Sequence, residues 1–372
     1  MKTIVSHRLF WPVVILVALL LATRLKSPIF FDINIRQGNV YGPLVTILRR
    51  VAPTLLVAMG MTLVISTRGI DLSVGAVAAI AGAAAATFID SAAHPNAVVT
   101  VLAGVGIGLF LAALGGVWNG FLVTVVGIQP IVATLVLMTA GRGVAQLITD
   151  ERIITASSRP YEMIGGGYWL GLPFSTILAA FIVLLTALLT RRTALGVLLE
   201  SVGGNPEASR LAGVPARTIT WTVYIVCALF AGIAGLMITA DATAADPNST
   251  GLFLEIDAIL AVVIGGTSLA GGRFSLAGTV IGAFIIQTLT QMILILGIAP
   301  EITLVYKAGV VVAVCLIQSP EFRAFALRAV RTDRPAPPLP PSVEQVSSSA
   351  LIAPVPDVGE LVDLGVNTNR ES

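Results

Sequence analysis

The chain has 372 residues, 56% of them hydrophobic and 11% charged, with a mean hydropathy of +0.94 and a net charge of +2. Soluble domains carry about 25% charged residues, so the composition describes an integral membrane protein with no nucleic-acid partner. The two cysteines, Cys227 and Cys315, both lie in apolar runs, which excludes a disulfide framework and suits small buried thiols.

A membrane span needs about 20 apolar residues, and the chain offers ten candidates. The first, Leu9 to Thr23, follows Lys2 and Arg8 and lacks a small-residue cleavage site before Pro28, so it reads as a retained anchor. A polar external connection, 30–43, leads to Val45–Ser66, Leu72–Ile89, Ala97–Val126, Pro130–Thr149 and Pro173–Thr190. Ile219–Ala240, Leu254–Leu269, Phe274–Leu296 and Ile302–Ile317 complete the set. The fold class is therefore all-α, a polytopic transmembrane helical bundle of about ten spans.

Ten spans put both termini on one side. Lys2, Arg8, Arg68, Arg191, Arg192, Arg210, Arg217, Arg273, Arg323, Arg328, Arg331 and Arg334 then face inward, against Arg24, Lys26, Arg36, Arg152 and Arg159 outside. Lys and Arg are retained on the cytoplasmic side during insertion, so both termini are expected there. Arg49 and Arg50 fit this count least well and are expected to snorkel to the outer interface.

Two spans are interrupted. Val45–Ser66 ends in Ser66-Thr67-Arg68-Gly69, and a new helix starts at once after Asp71. Leu254–Leu269 runs into Gly265-Gly266-Thr267-Ser268 and then Gly271-Gly272-Arg273. Gly-interrupted segments in two halves of a transporter mark broken helices near the solute route. The pairs Gly104/Gly108, Gly116/Gly120 and Gly278/Gly282 let helix backbones approach closely, within the chain or across a dimer interface.

Polar groups inside spans need a reason. Asp71 with Ser73 is either a helix cap or part of the break that shapes a translocation route. Asn119 offers an interhelical hydrogen bond or lines that route. Gln129 precedes Pro130 at the start of a helix, with Thr134 one turn further in. Arg142 and Gln146 are four apart on one face, suited to a docking partner, a sugar hydroxyl or a neighbouring carbonyl. Lys307 is expected to find a carboxylate.

The longest polar interval runs from Arg191 to Arg217 and reads as two short cytoplasmic helices. The first covers Arg192 to Ser201 and is broken by Gly203-Gly204. Asn205 caps the second, Pro206 and Glu207 suit its first positions, Ala208 follows, Arg210 sits in its last turn and Gly213 ends it. A short charged helix outside a membrane domain is a shape that a partner protein can grip. Beyond residue 320 the chain is basic and rich in Pro, so 321–372 is expected to be a disordered cytoplasmic tail beside the 1–320 membrane domain.

The chain carries no engine of its own. None of Lys2, Lys26 and Lys307 follows a Gly, so there is no Gly-Lys-Ser/Thr phosphate loop. His7 and His94 form no metal-spaced cluster, and no nucleophile stands beside a base. A non-enzyme with no metal or other cofactor is expected.

Five stretches together carry a resemblance. They are Gly60-Met-Thr-Leu-Val-Ile-Ser-Thr-Arg68-Gly-Ile-Asp71-Leu-Ser73-Val-Gly75; Asn119-Gly120 with Gln129-Pro-Ile-Val-Ala-Thr134-Leu; Arg142-Gly-Val-Ala-Gln146; Gly203-Gly-Asn-Pro-Glu-Ala-Ser-Arg210-Leu-Ala-Gly213; and Ala261-Val-Val-Ile-Gly-Gly-Thr-Ser-Leu-Ala-Gly-Gly-Arg273. They resemble the permease subunits of bacterial ABC importers for monosaccharides, of the ribose/xylose/galactose type, closest to the galactofuranose importer permeases. The resemblance covers roughly 10–320. It implies a bacterial inner-membrane subunit that pairs with a second permease, separate ATPase subunits, a periplasmic sugar-binding protein and a monosaccharide substrate in a lipid setting. It also implies that Gly203, Gly204, Asn205, Pro206, Glu207, Ala208, Arg210 and Gly213 dock on the ATPase. The substrate pathway is expected near Asp71, Ser73, Asn119, Gln129 and Thr134. Arg68 departs from the family, which usually has Gly there. The alternatives are an ion-gradient-driven secondary transporter of a small polar solute and a non-transporting scaffold.

Overall fold

The computed structural model describes residues 9–297 and, further along, 302, 304–309, 312 and 316. The 321–372 tail and part of the Ile302–Ile317 candidate, Cys315 included, lie outside the described residues.

The chain forms a helical membrane bundle. Helix α1 is Phe10–Lys26, and the polar connection that follows it contains a β1–β2 hairpin (Asn34–Arg36 and Asn39–Tyr41). Gln37 and Gly38, at φ 51° and 78°, make the two-residue turn whose twist matches paired strands. Helices α2 (Pro43–Ser66), α3 (Val74–Ser91), α4 (Val98–Phe121, continued by a π-helical stretch Leu122–Val126) and α5 (Pro130–Thr149) follow. A short α6 (Arg159–Gly165) leads to α7 (Phe174–Arg192), α8 (Leu195–Gly204), α9 (Pro206–Leu211), α10 (Ala216–Ala242), α11 (Leu254–Ile264) and α12 (Leu276–Ile295). Two-residue ribbons, β3 (Ile154–Thr155) with β6 (Ala244–Ala245) and β4 (Tyr168–Trp169) with β5 (Leu172–Pro173), tie down the outer connections.

Among the described residues seven helices are long and apolar enough to cross a membrane: α2, α3, α4 with its π extension, α5, α7, α10 and α12. Helix α1 has 17 residues and α11 only 11. At 1.5 Å per residue α11 reaches roughly half of the ~30 Å hydrocarbon thickness. The apolar run to Leu269 therefore does not continue as helix. It stops where Gly265 and Gly266 turn the backbone, Gly266 at φ 83°.

Side-chain size decides who sits in the middle. Helix α3 is built largely of Ala and Gly, and every residue from Val74 to Ala86 is buried. Small side chains let α4, α5 and α10 all approach it. Helix α10 packs along α2, α3 and α4. The outer helices α4, α5 and α7 instead present Leu102, Phe110, Leu147, Phe181 and Leu184 outward, each 58–78% exposed. Such a surface suits lipid or another membrane subunit rather than water. The Gly pairs pack within the chain: a Cβ on Gly108 would lie 2.7 Å from the Ala81 carbonyl oxygen, and one on Gly116 2.6 Å from the Ile225 Cα.

The two ends of the bundle differ in charge. Arg68, Arg191, Arg192, Arg210, Arg217 and Arg273 lie at the end formed by α8, α9 and the loop after α11. At the opposite end Arg49 meets Asp241 at 3.3 Å, so it is held by a partner rather than left to snorkel alone. There Arg142 donates to the carbonyls of Pro247 (3.2 Å) and Thr250 (2.5 Å), and Gln146 Nε2 lies 2.8 Å from Asn248 Oδ1. Of the uses open to this pair, pinning the loop between α10 and α11 is the one observed.

Candidate coupling and translocation site

The polar interval after α7 folds as two short helices, with corrections in detail. Helix α7 runs through Arg192, α8 begins at Leu195, and Gly203 and Gly204 are the last turn of α8 rather than a break after it. Helix α8 is amphipathic: Gly196, Leu199, Val202 and Gly203 are buried, with Leu199 in the main core beside α2 and α10.

Helix α9 stands free of that core. The Asn205 side-chain oxygen accepts the Ala208 amide at 3.0 Å, and Pro206 occupies the first turn, where its missing N–H costs nothing. Gly213, at φ 82°, ends the turn, its amide donating to the Arg210 carbonyl at 3.0 Å. Only Ser209 of α9 is buried. Glu207 and Arg210 pair at 2.7 Å, both about two-thirds exposed, and Leu211 is 76% exposed. The hydrogen bond from Arg210, and then its charge, hold the Glu207 carboxyl below the usual glutamate range, so the pair stays ionised at neutral pH. Its worth is not stability but a fixed charge pattern on a protruding foot.

Behind the foot, three chain segments meet. After α2 the backbone turns at Arg68, whose φ is 66°. The left-handed region costs a side-chain-bearing residue roughly 1 kcal/mol, which glycine escapes. Arg68 Nε donates to the Gly203 carbonyl at 2.5 Å, and Nη2 donates to the Gly204 carbonyl. The last carbonyls of a helix have no internal partner, and a cation there also meets the negative end of the helix dipole. The Gly272 amide of the α11–α12 loop donates to the Ser66 carbonyl at 2.9 Å. A side chain on Gly203 would collide with that carbonyl, which is why the turn of α8 that lies there has no Cβ.

Five residues further in, the buried polar side chains converge. Asp71 is not the cap of α3, which starts only at Val74. Its Oδ1 accepts the Ser73 amide (3.0 Å), the Ser73 hydroxyl (2.6 Å) and the Asn119 amide (3.3 Å), closing a turn ahead of the helix. Asn119 Nδ2 also donates to Ser73 Oγ at 2.8 Å. Thr134 Oγ1 donates to the Ile70 carbonyl at 3.2 Å, joining α5 to the same turn. Asp71, Ser73, Asn119 and Thr134 all have 0% exposure. Gln129 is exposed at the start of α5 and stands apart from the other four. Lys307 meets Asp257 at 2.9 Å, supplying the carboxylate that the sequence left unnamed.

Residues 44–315 match the family described as the branched-chain amino acid transport system, permease component. The chain belongs to this permease family. It is 47% identical over 322 residues to the galactofuranose transporter permease protein of Escherichia coli K12, an alignment covering 85% of this chain and 93% of that one. It is 42% identical to the fructose import permease protein of Bifidobacterium longum, covering 86% and 90%, and 36% identical to the ribose import permease protein of E. coli K12, covering 79% and 88%. No solved structure matches. This permease is thus a multi-pass membrane protein of a transport family.

Proposed function

We propose that the permease carries a monosaccharide inward across the bacterial inner membrane as one subunit of an ATP-binding-cassette importer. Its partners are separate ATPase subunits, a periplasmic sugar-binding protein and a second permease copy or homologue. The carrying observation is helix α9: a capped, exposed, charged foot at the basic end of a chain that lacks a phosphate loop. The arginines at that end support reading it as cytoplasmic, with both termini inside. Gly203, Gly204, Asn205, Pro206, Glu207, Ala208, Arg210 and Gly213 form the docking element. The solute passes the break after α2, whose Asp71, Ser73, Asn119 and Thr134 set the shape of the route, with exposed Gln129 at its inner mouth. The sugar reading draws on the relatives, which are named for galactofuranose, fructose and ribose importers.

Uptake of radiolabelled galactose, whose furanose form is populated in water, tests this in cells that express the permease with its neighbouring ATPase and binding protein. Uptake is expected to stop on ATP depletion and to persist with a protonophore while ATP is maintained. Loss of uptake with the protonophore at constant ATP would instead establish an ion-gradient-driven carrier.

A further inference from the structure

We infer that Arg68 is a positioning residue that ties the foot to the membrane-buried polar cluster. The inference rests on the docking role proposed for α9 and deepens it.

The geometry forms one connected path. Helix α9 is capped by Asn205, and the two residues before that cap, Gly203 and Gly204, give their carbonyls to the Arg68 guanidinium. On the other side of Arg68 the chain runs directly through Gly69 and Ile70 to Asp71. The Ile70 carbonyl is held by Thr134, and the Asp71 carboxylate by Ser73 and Asn119. The foot is thus joined to α4 and α5 by two hydrogen bonds from one side chain and three residues of backbone. A guanidinium suits this task because its planar fork reaches two carbonyls at fixed spacing, whereas an ammonium is a point donor.

The surroundings keep Arg68 in place. Its own amide donates to the Ile65 carbonyl at 3.0 Å, and the next amide, Gly69, donates to Val64 at 3.0 Å, so the turn is hydrogen-bonded on both sides of the left-handed residue. A Cβ on Gly271 would run into the Arg68 side chain, so the α11–α12 loop lies directly against it. A strained backbone kept at a junction of three segments, with its side chain spent on two carbonyls 135 and 136 residues away, is what a transmission element requires. A displacement of the foot moves the Gly203 and Gly204 carbonyls, and with them the turn that holds Asp71.

The test uses the whole importer in proteoliposomes, with radiolabelled galactose and ATP hydrolysis measured together. R68G removes the side chain while suiting the left-handed backbone, so assembly and basal ATP hydrolysis are expected to hold. The number of sugars moved per ATP is expected to fall by roughly three- to tenfold. R68K, able to reach one carbonyl only, should fall between R68G and the parent, and it carries the comparison should R68G fail to assemble. An E207A/R210A double variant in the foot serves as the reference. If the foot variant lowers the ratio and the Arg68 variants match the parent, the link through Arg68 is overturned while the docking role of α9 stands. If the foot variant also matches the parent, the docking role itself fails, and the Arg68 link with it.

Discussion

Asn119 holds together the polar cluster on which the break after α2 depends. Its amide donates to both Asp71 and Ser73 in a site with no exposure, so its removal takes from Ser73 Oγ its buried donor and leaves Asp71 Oδ1 with Ser73 alone. Asn119→Ala is expected to cost about 1–3 kcal/mol and to lower the unfolding temperature of the purified protein in detergent. An unchanged unfolding temperature would show that the cluster carries no such strain. At this scale the sequence disclosed the residue types but not their meeting. Asp71, Asn119 and Thr134 stand out as polar groups in apolar spans, yet their partners lie 46 to 64 residues away along the chain. The foot was legible in detail because its signals are local: Asn205, Pro206, Arg210 and Gly213 act within one short stretch. Arg68 was legible only as an oddity, since the carbonyls it binds belong to a helix end far along the chain.

Among the elements, α11 and α12 show how close approach substitutes for hydrophobic drive within lipid. Gly278 and Gly282 face the carbonyls of Gly265 and Ala261, and the Thr62 and Thr279 hydroxyls, 2.7 Å apart, join α12 to α2. Gly282→Ala is expected to push α12 off α11 and to cost about 1–3 kcal/mol through overpacking. Gly106→Ala on α4, where a Cβ meets nothing within 4 Å, should be neutral or stabilising by about 0.5–1 kcal/mol. Thermal unfolding of the two variants side by side checks both directions. The apolar runs marked nearly all the helices, because hydropathy reads length well. They misjudged α11, whose apolar composition continues past Ile264 while its glycines end the helix. They also missed the short β ribbons, each set by pairing across distant or turn-linked segments rather than by composition.

Across the membrane bundle, charge and the placement of the elements agree. One end carries the foot with Arg68, Arg191, Arg192, Arg210, Arg217 and Arg273; the other carries the hairpin, the ribbons and the Arg49–Asp241 pair. In the proposed function the end with the foot is the handle, and the work of transport comes from a separate ATPase subunit. The claim beneath all else is that α9 faces the cytoplasm and is gripped there by an ATPase subunit. Labelling of an Ala208→Cys variant with a membrane-impermeant maleimide, in right-side-out and in inside-out vesicles, tests it most directly. Labelling is expected only in inside-out vesicles, and it should fall when the ATPase subunit is co-assembled. Labelling from the periplasmic face, or labelling that the bound ATPase leaves unchanged, would contradict it.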